Sequence, residues 1–186
     1  MRKGSNAALF WPILLVILVA DVITKAMAER MLLPRGIPHE VLGNTLRFTL
    51  VYNPGAAFGL NLGPQSRWIF AVLTLVALVI LARLYRSTPT GNPPRATALA
   101  LVCAGAVGNL IDRLRSFFGV VDFIDVGIGD SRWPTFNVAD MAVSVGAGLL
   151  AWVLWQEDHQ QQTATPPVGT VAIPASASGG EPGELV

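Results

Sequence analysis

The chain has 186 residues, of which 52% are hydrophobic and only 13% charged, and its mean hydropathy is +0.52. Soluble domains carry about 25% charged residues, so this composition excludes an ordinary soluble fold and points to a polytopic membrane protein. A formal net charge of +1 leaves no concentrated basic patch, which argues against a nucleic-acid partner.

Four uncharged runs, residues 4–20, 68–82, 96–111 and 141–156, are each about 15 to 17 residues long. A bilayer core needs roughly 20 residues of helix. Each helix must therefore carry flanking charged residues to membrane depth. The fold expected is an all-α polytopic membrane protein with four transmembrane helices, at approximately 5–27, 67–86, 96–113 and 138–156. All four fall in one domain, residues 1–159.

The first run follows Arg2-Lys3 and ends at Asp21, with Lys25 one turn later. Together with Ala26-Met27-Ala28 it imitates a cleavable leader. Asp21 and Lys25 interrupt that pattern, and a retained helix is the expectation. The two residues stand at i and i+4 in the favourable acid-first order, so they read first as a structural ion pair and second as substrate-positioning groups.

After the first helix, Leu46, Phe48, Leu50 and Tyr52 alternate with Thr45, Arg47, Thr49 and Val51, a period of two that predicts a half-buried strand. Gly43-Asn44 and Asn53-Pro54-Gly55 bracket it as turns. In Asn53-Pro54-Gly55-Ala56-Ala57-Phe58-Gly59 the small residues would let another backbone approach closely, as the lining of a cleft requires. Residues 87–94 read as a Pro/Gly turn. Cys103, the only cysteine, reads as a small packing residue in the third helix. Val120-Val121-Asp122-Phe123-Ile124 predicts a second short strand. Gly127-Ile128-Gly129-Asp130 copies the Gly-x-Gly-Asp phrase of presenilin-type proteases but lies in a polar loop, which argues against that match. Residues 160–186 are Pro, Gly, Ala, Ser and Thr with few large apolar groups, and are expected to be disordered.

Two phrases carry the chemistry: Gly108-Asn109-Leu110-Ile111-Asp112-Arg113 and Phe136-Asn137-Val138-Ala139-Asp140. Each sets an Asn three residues before an Asp, which places both side chains on one helical face. Each also abuts an apolar run, where a carboxylate is costly and is a functional candidate. Asp21 closes the first run, Asp112 closes the third and Asp140 opens the fourth, so four crossings put all three on one side of the membrane. Two carboxylates held together share a proton, one acting as base toward water and the other as acid toward a scissile carbonyl. Asp112 and Asp140 are the pair expected, with Asn109 and Asn137 orienting them or holding substrate backbone. Arg113 would meet a substrate carbonyl or a lipid phosphate. His39 and His159 are far apart and lack ligand-spaced neighbours, so no metal or other cofactor is expected. The rival from a different class is a small proton-coupled transporter, in which Asp21, Lys25, Asp112 and Asp140 would form a relay. Its acids would all crowd one face, which suits a surface-opening hydrolase better.

At five places the chain resembles the lipoprotein signal peptidase (signal peptidase II) family of bacterial membrane aspartic proteases. These are Asp21-x-x-Thr24-Lys25, Asn53-Pro54-Gly55-Ala56-Ala57-Phe58, Gly108-Asn109-x-x-Asp112-Arg113, Val121-Asp122-Phe123 and Phe136-Asn137-x-Ala139-Asp140. The resemblance implies four helices with a small β-cradle in the extracytoplasmic loops. It also implies a bacterial cytoplasmic membrane location, both termini cytoplasmic, and a site at the outer face with Asp112 and Asp140 as the catalytic dyad. Asp21, Lys25, Asn53, Gly55, Asn109, Arg113, Asn137 and Ala139 would be supporting or substrate-binding positions. The substrate implied is a diacylglyceryl-modified prolipoprotein, cleaved before its lipidated Cys. Membrane phospholipid is the other partner expected, and the enzyme is expected to be a monomer.

Overall fold

The computed structural model describes residues 5–55 and 62–164. Four helices, α1 (Ala7–Met31), α2 (Ser66–Arg86), α3 (Pro93–Arg115) and α4 (Val138–Ala164), are accompanied by four strands. The strands are β1 (His39–Leu42), β2 (Leu46–Asn53), β3 (Val120–Ile128) and β4 (Ser131–Arg132), forming an antiparallel sheet in the order β1-β2-β3-β4. The mostly helical architecture with a small sheet agrees with the expected fold, and all four helices are long and apolar enough to cross a membrane.

The helices exceed the uncharged runs because charged and turn-forming residues are built into their ends. α1 continues to Met31 and carries Asp21 and Lys25 within its last turns, where both are fully buried. α3 begins at Pro93, earlier than expected. Asn92 accepts a hydrogen bond from the Arg95 N–H at 3.2 Å, and Pro93-Pro94 supply the fixed φ of a first turn whose N–H groups have no helical partner. α4 runs on to Ala164, so residues 160–164 extend the helix and do not start the tail. Residues 165–186 lie outside the described residues.

α3 is the central helix, with more than half of its span buried. Its packing depends on glycine. A Cβ on Gly105 would collide with the Ala139 carbonyl and Val143, and one on Gly108 would collide with the Asp21 carboxylate. α1 and α4 can therefore approach α3 only where it has no side chain, the usual use of small residues at helix interfaces in lipid. Outward positions such as Val16, Val19, Val72, Val76 and Val145 are exposed, as a lipid-facing surface requires.

Two apolar clusters mark the two ends of the bundle. Phe10, Leu99, Ala100 and Cys103 pack together, with Tyr85 against them, so Cys103 is a packing residue as read. Ala28, Leu50, Val121 and Phe123 join the sheet to α1. The predicted strands are both present, and β3 is longer than its apolar core suggested. Gly119, at φ +102°, makes the turn from α3 into β3; a Cβ there would strike the backbone of Asn53 and Pro54. That approach brings β3 beside β2. Between Phe48↔Ile124 and Val51↔Asp122, β2 spends one more residue than β3, a bulge of the kind that re-aims neighbouring side chains.

Candidate active site

Site residues arrive from the last turns of α1, the end of β2, the C-terminal half of α3, β3 and the β3-to-α4 connection. Phe136 pairs with Ile124 through backbone bonds of 3.1 and 2.8 Å, which lays residue 137 alongside the start of β3. Asn137 then caps α4. Its side-chain oxygen accepts from the Asp140 N–H at 2.9 Å while the Asp140 carboxylate accepts from the Asn137 N–H at 3.2 Å. The second Asn-x-x-Asp phrase is thus a reciprocal capping box, and Asn137 stands before the helix, not on its face. The first phrase behaves as expected: Asn109 and Asp112 share a face of α3, and both receive the Lys25 ammonium.

Lys25 is a buried tripod. Its Nζ donates to the Asn109 side-chain oxygen at 2.9 Å and forms ion pairs with Asp21 at 2.8 Å and Asp112 at 2.9 Å. The second Asp21 oxygen accepts from the Ala139 N–H at 2.9 Å, which ties α1 to the first turn of α4. Asp112 also accepts from Arg115 Nε at 3.0 Å and the Val121 N–H at 3.3 Å. The expected ion pair of Asp21 and Lys25 is present, and it belongs to a larger cluster.

A cavity of about 780 Å³ lies beside this cluster, bordered by Asn53, Asn109, Arg113, Asp122 and Asp140 among polar groups, and by Trp133, Phe136, Met141 and Val143 among apolar ones. Asp112, the acid expected to pair with Asp140, does not border it; its oxygens are spent on Lys25, Arg115 and Val121. The acid that borders the cavity with Asp140 is Asp122. It stands in β3 between Val121 and Phe123, and the reading of the loop as a strand gave it no role. The available signal was a carboxylate inside an apolar strand, the same cost argument that singled out Asp112 and Asp140.

The two cavity acids are linked through two amides. Asn137 Nδ2 donates to Asp122 Oδ1 at 2.6 Å and to Asn109 Oδ1 at 3.2 Å, and Asn109 Nδ2 donates to Asp140 Oδ1 at 2.7 Å. Because Asn109 Oδ1 also receives Lys25, the ammonium polarises the amide that holds Asp140. The Asn53 side chain bonds Asp122 from the other side, and its oxygen accepts from the Gly55 N–H at 3.0 Å. Arg113 donates to the Gly55 carbonyl at 2.9 Å and to the Asn109 carbonyl at 3.2 Å, so it fastens the loop after β2 to α3. Ala56, Ala57, Phe58 and Gly59 of that loop lie outside the described residues.

Burial and the negative charge of Asp140 push the Asp122 carboxyl up from 3.8 to about 7, against the opposing hydrogen bonds of Asn137 and Asn53. Two acids on one cavity, one of them holding its proton near neutral pH, can act as a general acid and a general base. Among the described residues no group of three or more His, Cys, Asp or Glu is placed to hold a metal.

A model of the signal peptidase (SPase) II family matches residues 13–156. A protein of Moorella thermoacetica named lipoprotein signal peptidase is 45% identical over 141 residues, covering 75% of this chain and 88% of its own. A protein of the same name from Syntrophotalea carbinolica is 40% identical over 149 residues, covering 79% and 91%. A bacterial membrane enzyme solved by the in meso method at 2.3 Å superposes with a TM-score of 0.77 at 30% identity, covering 87% of this chain and 96% of that one. A second, solved at 1.9 Å, gives a TM-score of 0.72 at 31% identity over 83% and 97%. The transporter reading therefore falls away: the family model, these relatives and four helices apolar enough to cross a membrane place the chain in the signal peptidase II family of membrane aspartic proteases.

Proposed function

We propose that the chain removes the signal peptide from diacylglyceryl-modified prolipoproteins, cutting before the lipidated Cys, with Asp122 and Asp140 as the catalytic pair. The observation that carries this reading is that these two acids border one cavity, while Asp112 is consumed by ion pairs behind it. The pairing replaces the expected Asp112–Asp140 dyad; Asp112 becomes part of the scaffold that holds Lys25.

In this mechanism Asp140 takes a proton from water, and the water oxygen attacks the scissile carbonyl carbon. Asp122, protonated at the start, gives its proton to the carbonyl oxygen as the tetrahedral intermediate forms. Collapse restores the carbonyl, breaks the C–N bond and passes a proton to the departing amine. Asn137 and Asn109 keep both carboxylates aimed without neutralising either. The apolar wall of Trp133, Phe136, Met141 and Val143 suits an acylated, hydrophobic substrate.

The test is incubation of the purified protein with a diacylglyceryl-modified prolipoprotein and with its unmodified precursor. A size shift for the first alone is the expected result; cleavage of neither removes the reading. We further propose that the site opens on the outer face of the cytoplasmic membrane with both termini inside. In a Cys103→Ser background, cysteines introduced at Thr45 and Ser131 should react with an impermeant thiol reagent from outside, and those at Thr90 and Thr163 should not. The opposite pattern reverses the orientation.

A further inference from the structure

Away from the cavity acids, two arginines flank an exposed aromatic pair. Phe117 and Phe118 follow the end of α3 directly, 84% and 51% exposed, with their rings at 84° and centroids 6.2 Å apart. The Arg35 guanidinium lies 4.1 Å from the Phe118 ring and 4.2 Å from the Tyr52 ring, against two rings tilted at 60° to each other. The Arg67 guanidinium lies 4.5 Å from Trp68 and 5.5 Å from Phe117. One Arg67 nitrogen donates to the Ser116 carbonyl at 2.7 Å, which fixes that arm against the same turn.

Three physical facts bear on what this arrangement holds. Both guanidiniums lie against aromatic rings, and Arg35 has no hydrogen-bond or ion-pair partner among the described residues. A guanidinium held against a ring keeps N–H groups available for a planar or tetrahedral anion. Secondly, Arg67 occupies the first turn of α2, where a cation opposes the helix dipole and an anion is favoured by both. Thirdly, the patch lies where α1 and α3 end and α2 begins, beside the ends of three helices long and apolar enough to cross a membrane, and exposed Phe and Trp at such ends are typical of interfacial anchors. Glu29, which bonds Tyr52 of the same cluster at 2.9 Å, is already matched by Arg115 at 3.1 Å. A cavity of about 550 Å³ opens between Arg35, Gly36, Pro54, Phe117 and Phe118.

We propose that this aromatic tip is a binding site for the phosphate of an anionic bilayer phospholipid, with Arg35 and Arg67 on the phosphate and Phe117 and Phe118 among the acyl chains. Charge complementarity selects the occupant: two cations with no unmatched acid beside them, set against rings beside the helix ends. The site goes beyond the proteolytic reading, and its test does not depend on turnover.

The experiment measures thermal stability of the full chain in detergent micelles, titrated with phosphatidylglycerol, with phosphatidylcholine and with inorganic phosphate. Wild type should gain several degrees with phosphatidylglycerol and little with the other two. Arg35→Gln with Arg67→Gln should lose that gain, Phe117→Ser with Phe118→Ser should weaken it, and Arg35→Lys should retain part of it. Retention of phosphatidylglycerol through purification, read by native mass spectrometry, should fall in the same order. Equal gains with phosphatidylcholine would show simple annular lipid and overturn the site. Equal gains with inorganic phosphate would show a general anion site and overturn the lipid assignment. A double-Gln variant that responds like wild type overturns the role of the arginines.

Discussion

Asp112 and Asp122 are both buried acids of the same short stretch of chain, yet their surroundings are opposite. Asp112 meets a lysine, an arginine and a backbone N–H, so its charge is matched. Asp122 meets neutral amides and faces another carboxylate across a cavity, so its charge is opposed. A buried carboxylate whose charge is fully compensated is held still, whereas an under-compensated one keeps a proton it can give away. In the proposed mechanism the Lys25 cluster is scaffold and the Asp122–Asp140 pair is chemistry, joined through Asn109.

Substitutions at the acids break this contrast most sharply. Asp122→Asn and Asp140→Asn should each lower kcat by about a hundredfold or more, because shape is kept and proton transfer is lost, with Tm near that of wild type. Asp112→Asn should show the reverse pattern, a lower Tm with measurable turnover per folded molecule. A lipopeptide cleavage assay and a melting curve on the same three proteins decide it. Full activity in Asp122→Asn would return Asp112 to the dyad.

The next effect is on the scaffold. Lys25→Met leaves Asp21 and Asp112 without their shared cation and should cost about 3–5 kcal/mol, read from Tm. Asp21→Asn combined with Lys25→Met should be more stable than Lys25→Met alone, since Asp112 still holds Arg115. If the double variant is stable but inactive, Lys25 serves the site as well as the fold.

Helix approach gives a smaller loss. Gly105→Ala puts a methyl into the Ala139 carbonyl and should cost about 1–3 kcal/mol as α4 shifts away. Since Ala139 adjoins Asp140, kcat should fall along with Tm, and a Tm change without a kcat change would separate packing from alignment.

The pH dependence is gentler and has a definite sign. The folded state binds the Asp122 proton more tightly than the unfolded chain does, with its carboxyl raised from 3.8 to about 7. That contribution to stability is therefore fully present below about pH 4 and is lost as pH rises through about 7. Tm should fall across this window in wild type and be flatter in Asp122→Asn. Turnover should decline above about pH 7 as the acid loses its proton, within a bell that reports the coupled pair. The smallest effect expected is that of chelators, which should leave activity unchanged; loss restored by added zinc would refute a metal-free acid pair.

Much of this molecule was legible from pattern alone. The four apolar runs located the helices because lipid exposure demands continuous hydrophobicity, and the alternation around Phe48 located β2 because a sheet with one buried face repeats every two residues. Asn109, Asn137 and Asp140 were visible in the two Asn-x-x-Asp phrases, Asn53 in a turn and Arg113 beside Asp112, and the structure gathers them. Helix ends were read short, since the Pro93-Pro94 start looks like an interruption until its Asn92 cap is seen.

What the sequence by itself determined was the set of costly groups and the elements carrying them: local periodicity and transfer energy act on neighbours along the chain. Which acid faces which was decided only by tertiary structure. The glycine seam on α3 sets how deeply Asp21 and Ala139 approach, the Gly119 turn lays β3 against β2, and a bulge in β2 sets the register opposite Asp122. Those contacts join residues far apart in the chain, and they deliver Asp112 to Lys25 and Asp122 to the cavity, a choice that spacing within any one segment does not contain.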